Sequence, residues 1–502
     1  MKHKKLFTGT CILLGYCIIA VSCAVGGAGG VQDMGASYGT NMFMPEGANT
    51  EEYTEIIENS FVKTSEQSSS YFSIDANTAS YPNLRSLISQ GSVNIPKDAV
   101  RIEEMLNYFD YDYATPTGDD ILSLTSSVFD TPYNAETKLL TIGLSAKEVE
   151  FTKQSNNLVF LIDVSGSMNS SDKLPLVQEA FSMLAENLND TDRVSIVTYA
   201  GEDKVALDGA YGYEKRKIVG TIEDLSASGS TAGSKGIQTA YSLAEKYFIK
   251  GGNNRVILAT DGDFNVGTVT AAGLNTLISA KRASGVYLSV FGFGHGNIKS
   301  DKMEELALKG NGTYSYIDSK MEAKRALVTN MGGTLLTVAK DVKAGITFNA
   351  DYVDSYRLVG YENKLLTEEE FNDENTDAGE LGSGHTVTVV YEIKLTDKAL
   401  NAEENFAQVN IKYKTTENSG EKDVSKEALL DIKTSAYHAT PTENDIFVAS
   451  VIEFGLLLRD SAYKADADLG MLVARMSGLN LEKDEFKTEF RELVNTYYKN
   501  VG

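Results

Sequence analysis

The middle of the chain is built from apolar runs separated by amphipathic stretches. Leu158-Val159-Phe160-Leu161-Ile162 is unbroken, and Arg193–Tyr199, Arg255–Thr260 and Val286–Phe291 repeat the pattern. A strand with one wet face alternates polar and apolar residues, whereas a strand covered on both faces does not. Between these runs, apolar residues recur at helical spacing over Leu176–Leu188, Lys215–Leu225, Gly236–Phe248 and Ala271–Ala283. A further helical stretch, Ser319–Met331, meets a stop signal at Gly332-Gly333. Strands alternating with helices predict βαβ units, hence an α/β fold with a doubly wound, mostly parallel sheet over residues 155–335.

The flanks carry other periods. Residues 66–118 read as helices and turns, with Pro82-Asn83 ahead of Leu84–Ile88 and apolar residues at helical spacing in Arg101–Phe109. Ile121–Asp130 and Lys138–Leu144 alternate like strands, so residues 119–150 join a β region. Residues 341–440 read as all-β and sandwich-like, with strands at Gly345–Phe348, Tyr356–Tyr361, Thr386–Ile393 and Ala407–Tyr413. The acidic run from Glu368 to Glu374 between two of them reads as a solvated loop. Strand patterns on both sides of the α/β segment predict one sandwich into which that segment is inserted. Residues 441–502 form a small helical end, with Asp445–Leu458, Ala465–Ser477 and Lys483–Tyr498. Ile446, Val448, Ile452 and Leu456 lie near one face of the first of these, as for a helix docked onto the body.

The first residues read as an address. Lys2, Lys4 and Lys5 precede the apolar stretch Leu6–Val21, too short for a usual membrane span of ~20 residues and suited to a signal peptide over 1–22. Ala20-Val21-Ser22-Cys23 resembles a bacterial lipobox. That resemblance implies lipidation of Cys23 and a lipid-anchored protein of the bacterial cell envelope. Ala24 after it resembles an outer-membrane signal if the cell is Gram-negative, with periplasmic or surface exposure left open. An ordinary cleaved leader with an incidental cysteine is the alternative. The glycine-rich start of residues 23–65 suits a flexible tether.

Composition narrows the function. The 502 residues correspond to about three domains. Net charge is −24, which argues against a nucleic-acid partner, because phosphate binding needs a basic footprint. The three cysteines, Cys11, Cys17 and Cys23, all fall in the leader region, so the body has no disulfide, thiolate zinc site or cysteine nucleophile.

The candidate chemistry lies where the first buried strand ends. In Asp163-Val164-Ser165-Gly166-Ser167, three oxygen-bearing residues are spaced two apart, which puts their side chains on one side of extended backbone. Gly229–Ser234 is a second oxygen-rich segment, and Thr260-Asp261-Gly262-Asp263 ends another buried strand. Open α/β sheets bind ligands at that edge. The four histidines are scattered and no cysteine is near, which disfavours zinc and copper; carboxylates with hydroxyls suit a hard cation such as Mg2+. His295, in Gly292–Gly296 after a strand, is a loop histidine that could lie near the site.

These residues resemble the metal-ion-dependent adhesion site of von Willebrand factor type A domains. The resemblance implies that Ser165, Ser167 and Thr231 supply hydroxyl ligands and Asp163 and Asp261 the acidic members, with Mg2+ (or Mn2+ or Ca2+) as the cofactor. It covers about Asn157–Leu335. Phe72–Tyr81, Val100–Phe109 and Leu457–Ser461 resemble the flanks of a bacterial subfamily of such lipoproteins. The implied function is non-enzymatic binding of a partner protein that offers an acidic side chain to the metal, in adhesion or complex assembly. Two other readings stand beside it. A Mg2+-dependent hydrolase or phosphatase is disfavoured because Ser165 stands where haloacid-dehalogenase-type phosphatases place a second aspartate, and because no G-x-S-x-G elbow or Walker A loop occurs. A metal-stabilised envelope scaffold is the third.

Overall fold

The computed structural model describes residues 53–149, 154–229, 234–262, 271–295, 299–398, 404–416 and 423–502. The expected leader, Cys23 and most of the tether lie outside the described residues. The chain begins with strands β1 (Val62–Lys63) and β2 (Ser69–Ser73), helices α1 (Ser80–Ser89) and α2 (Ile102–Asn107), and strands β3 (Leu122–Asp130) and β4 (Lys138–Ala146). The α/β segment follows: β5 (Asn156–Asp163), α3 (Leu174–Glu186), β6 (Arg193–Ala200), β7 (Glu202–Tyr211), α4 (Lys215–Glu223), α5 (Ser234–Lys246), β8 (Asn253–Thr260), α6 (Ala271–Ala283), β9 (Val286–Phe293), α7 (Ser300–Lys309), β10 (Tyr314–Ile317), α8 (Lys320–Lys324) and α9 (Met331–Leu335). Then come β11 (Thr337–Phe348), β12 (Val353–Val359), α10 (Glu368–Asn372), β13 (Gly379–Gly382), β14 (Thr386–Leu395), β15 (Asn405–Thr416), β16 (Asp423–Lys433), α11 (Glu443–Arg459), α12 (Leu469–Ser477) and α13 (Glu485–Val501).

The central sheet has the order β10-β9-β8-β5-β6-β7 and is parallel except for β7, which pairs antiparallel with β6. β5 shows why its sequence is unbroken. Leu158, Phe160 and Ile162 join the core on the α3 face, while Val159 and Leu161 join the core under α5. A period-two strand between two helical layers needs apolar residues at every position. β7 and β10 carry no such signal: β7 is an edge strand with half its positions exposed, and β10 has four residues. The last helical stretch also departs from expectation. After α8 the backbone widens into a π turn at Arg325–Thr329, and α9 then runs through Gly332-Gly333 instead of stopping there. Gly333 is buried against Ser383 and His385, so close packing, not helix termination, uses the small residue.

The α/β segment interrupts a β-sandwich. One sheet, β1-β12-β14-β4-β3, pairs strands from before and after the insertion: β4 lies antiparallel to β14 from Lys138↔Ile393 to Ser145↔Thr386. In the other, β11 is flanked by β15 and β16 on one side and by β13 and β2 in succession on the other. Phe72, Ile142, Leu144, Ile346, Val389 and Tyr391 share the core between the sheets. Val390, on the opposite face of β14, faces α2 and joins a second core shared with the helices α11, α12 and α13. α11 is buried almost all round, from Asp445 to Arg459, where one docking face was expected, because other helices and the sheet enclose it.

Two expectations for the start of the body change. Residues 66–118 are not wholly helical, since Ser69–Ser73 is a sandwich strand. The expected tether does not run on to residue 65. From Tyr53 the chain is strapped to the body, with Thr54 N–H donating to Asp301 (2.9 Å), Ile56 N–H to Asp98 (2.8 Å) and β1 pairing with β12. Backbone pairing and carboxylate contacts need no apolar period, so this strap left no pattern. A buried ion network ties the parts together. Arg85 of α1 reaches Asp318 (2.6 Å) and Glu322 (3.0 Å) in the α/β segment and Glu489 (3.4 Å) in α13. Among the described residues no helix is long and apolar enough to cross a membrane.

Candidate metal centre

Sheet order reverses between β5 and β8, and that is where the oxygen-bearing residues gather. Chain connections run outward from β5 through β6 and from β8 through β9, leaving a crevice at the carboxyl ends of the central pair. Register pairs Ile162 with Ala259, so Asp163 and Thr260 end their strands side by side. Asp163 is fully buried and Asp261 is 1% exposed.

Asp163 organises the turn that follows it. One oxygen, Oδ1, accepts the Ser165 amide at 2.8 Å, and the chain then enters a short turn at Gly166–Asn169. The Ser165 and Ser167 hydroxyls come within 3.0 Å of each other, Ser165 buried and Ser167 exposed. The neighbouring loop is pinned against this turn: Ser228 N–H donates to the Val164 carbonyl (2.7 Å) and Gly166 N–H to the Gly229 carbonyl (3.1 Å). Gly229 turns there with φ +86°, a conformation that disfavours side chains. Thr231, expected as a hydroxyl ligand, and Asp263 lie outside the described residues. Asp163, Ser165, Ser167 and Asp261 are brought to one edge.

The electrostatics suit a cation. Burial pushes the Asp163 carboxyl up to about 6; its hydrogen bonds to Ser165 oppose this, and the nearby charge of Asp261 adds to it. Its second oxygen, Oδ2, is buried with no hydrogen-bond partner among the described residues. An unpaired buried carboxylate oxygen is costly, and a bound cation would relieve that cost. Burial and the Asp163 charge raise the Tyr199 phenol well above its ordinary value. Among the described residues no three His, Cys, Asp or Glu side chains are grouped so as to hold a metal, and the oxygens at this edge are the two carboxylates and the serine hydroxyls, donors that suit a hard ion. The donor set fits Mg2+, with Ser167 at the wet rim.

Three neighbours carried no signal in the sequence or were set aside. Lys173 places its ammonium 2.9 Å from Asp261 Oδ2. Asp172, one residue earlier, accepts the His295 backbone N–H at 3.2 Å. The His295 ring sits 2.8 Å from the Tyr316 hydroxyl and 3.1 Å from the Ser86 hydroxyl. It therefore joins α1 to the rim of the crevice, where its ring meets Ser86, Tyr316 and Asp172. Only the position of Lys173 in the fold reveals it, because a lysine before a helix is usually solvated.

The family models align with these parts. A von Willebrand factor type A domain model matches residues 157–330, a "von Willebrand factor" model residues 47–141, and a model of the C-terminal part of protein YfbK residues 333–499. The "Uncharacterized protein YfbK" of Escherichia coli (strain K12) is 37% identical over 438 residues, covering 82% of this chain and 75% of that protein. The chain belongs to the YfbK family of von Willebrand factor type A proteins. A second relative of this YfbK-family chain, "Uncharacterized protein sll0103" of Synechocystis sp. (strain ATCC 27184 / PCC 6803 / Kazusa), is 30% identical over 191 residues, covering 36% of this chain and 43% of that one. Among solved structures, a von Willebrand factor type A protein from Catenulispora acidiphila is 17% identical with a TM-score of 0.38, covering 69% of this chain and 80% of that chain. BatB from Bacteroides thetaiotaomicron is 19% identical with a TM-score of 0.30, covering 34% of this chain and 96% of that chain.

Proposed function

We propose that this YfbK-family protein is a non-enzymatic, lipid-anchored protein of the bacterial cell envelope that binds a partner protein through a divalent cation. Asp163, Ser165, Ser167, Thr231 and Asp261 hold the cation, Mg2+ first among candidates, and Cys23 carries the lipid. The observation that supports this reading is the buried Asp163 carboxylate, whose Oδ2 meets no hydrogen-bond partner among the described residues, beside Asp261 and the paired serine hydroxyls. A bound cation there supplies a Lewis-acidic position for a carboxylate of the partner. The chain's own residues do the rest: Asp163 sets the turn, the buried strand ends keep the carboxylates dry, and exposed Ser167 leaves the rim open to a second protein.

The test is Mn2+ binding, followed by magnetic resonance of the free ion, combined with crosslinked capture from envelope extract. Wild type is expected to bind Mn2+ and to capture a partner in Mg2+ but not in chelator. Asp163→Ala and Thr231→Ala are expected to lose both. Cation binding that survives Asp163→Ala overturns the assignment of the centre. Mg2+-dependent turnover of phosphate or ester substrates, lost in Asp163→Ala, overturns the binding-only reading.

A further inference from the structure

We infer that Lys173 is a tethered competitor for the cation: its ammonium occupies the Asp261 carboxylate and must yield it when a divalent ion binds. This rests on the reading of Asp163 and Asp261 as a cation centre. Lys173 lies on neither strand that supplies the carboxylates. It ends the loop between the Ser167 turn and α3, yet its side chain is folded inward, 11% exposed, with Nζ 2.9 Å from Asp261 Oδ2. A lysine that only stabilised the surface would keep its head in water.

The seat for this lysine is built. Gly294 lies beneath its stem, and a Cβ at that position would come within 2.4 Å of both the Cγ and Cε atoms of Lys173. Gly294 has φ +77°, so the backbone there already favours glycine. The loop is held at both ends of the lysine. Lys173 N–H donates to the Ser170 carbonyl at 3.1 Å, and Asp172 accepts the amide of His295, next to Gly294, at 3.2 Å. Pro175 then starts α3 in its first turn.

The charge arithmetic gives the consequence. The ammonium pairs with Asp261, whose charge acts on the neighbouring buried Asp163, so the centre carries less negative charge than its two carboxylates alone would give it. A lysine ammonium is a compact point charge on a flexible stem, so it can neutralise Asp261 and also leave it. A divalent ion near Asp261 meets repulsion from that ammonium at short range until the stem swings out. Lys173 therefore lowers affinity for divalent ions while keeping Asp261 paired in their absence.

The experiment compares Mn2+ affinity, by magnetic resonance of the free ion, in the full chain carrying Lys173→Met or Gly294→Ala with wild type. Removing one charge at this range is expected to tighten binding roughly tenfold or more at low salt. Gly294→Ala keeps the charge but crowds the stem, and is expected to give a smaller tightening. It carries the test alone if Lys173→Met does not fold. Equal affinity, or weaker binding in Lys173→Met, overturns the inference while leaving the centre standing. No Mn2+ binding by wild type or either variant overturns both.

Discussion

Replacing Arg85 by Met tests whether the buried ion network holds the helical cluster to the α/β segment. Met keeps most of the apolar stem and removes the guanidinium, so a packing void contributes little. The Arg85 side chain is 6% exposed, and its three carboxylate partners differ in what they would lose. Glu322 keeps Arg325 at 2.8 Å and the Tyr108 hydroxyl at 2.7 Å. The Glu489 side chain is 21% exposed and can hydrate. Asp318 is the member at risk: its side chain is 6% exposed and both of its oxygens bind Arg85, at 2.6 and 2.8 Å. One buried carboxylate left without its cation costs about 3–5 kcal/mol. That is a large fraction of the ~5–15 kcal/mol by which folded proteins exceed their unfolded chains. Urea unfolding followed by circular dichroism gives the loss. Limited proteolysis checks whether α1 and α13 come away first. In a double-mutant cycle, Arg85→Met with Asp318→Asn is expected to recover about half of it, because the amide needs no counter-ion. A loss below about 1 kcal/mol, with no coupling to Asp318, would refute the reasoning.

Other predictions concern pH and helix ends. Burial pushes the His385 imidazole down to about 4 from its ordinary 6.5. The unfolded chain therefore binds this proton first, so its contribution to stability is complete above pH 6.5 and is lost as pH falls towards 4. Up to about 3 kcal/mol is at stake, and His385→Gln is expected to flatten that part of the urea-midpoint profile. Thr442 caps α11, its hydroxyl accepting the Asp445 amide (3.2 Å) while Asp445 accepts the Thr442 amide (2.8 Å). Thr442→Ala is expected to cost about 1 kcal/mol in the same assay, and an unchanged midpoint would remove the cap from the account.

Some of this protein was readable along the chain because the physics is local. Leu158–Ile162 must be apolar at every position if both faces of β5 are covered, so the run alone announces a strand between helical layers. The spacing of Asp163, Ser165 and Ser167 puts them together at a strand end, and the structure places Asp163, Ser165, Ser167 and Asp261 at the edge where sheet order reverses. Other features depend on partners far away in the chain. Edge strand β7 has half its positions exposed, and β10 has only four residues, so neither shows a clear period. The strap from Tyr53 to Lys63 is held by backbone pairing and by Asp98 and Asp301, which no neighbouring residue foretells. Gly332-Gly333 reads as a stop, yet packing against Ser383 carries the helix on, since burial outweighs a glycine's local preference. Lys173 looks like any lysine ahead of a helix, and only Gly294, more than a hundred residues later, makes room for it over Asp261. Periodicity determined the layers and motif spacing the candidate ligands. Tertiary structure decided which carboxylate has a counter-ion and which parts of the chain are clamped together, because charge pairing acts through space and leaves no period in the sequence.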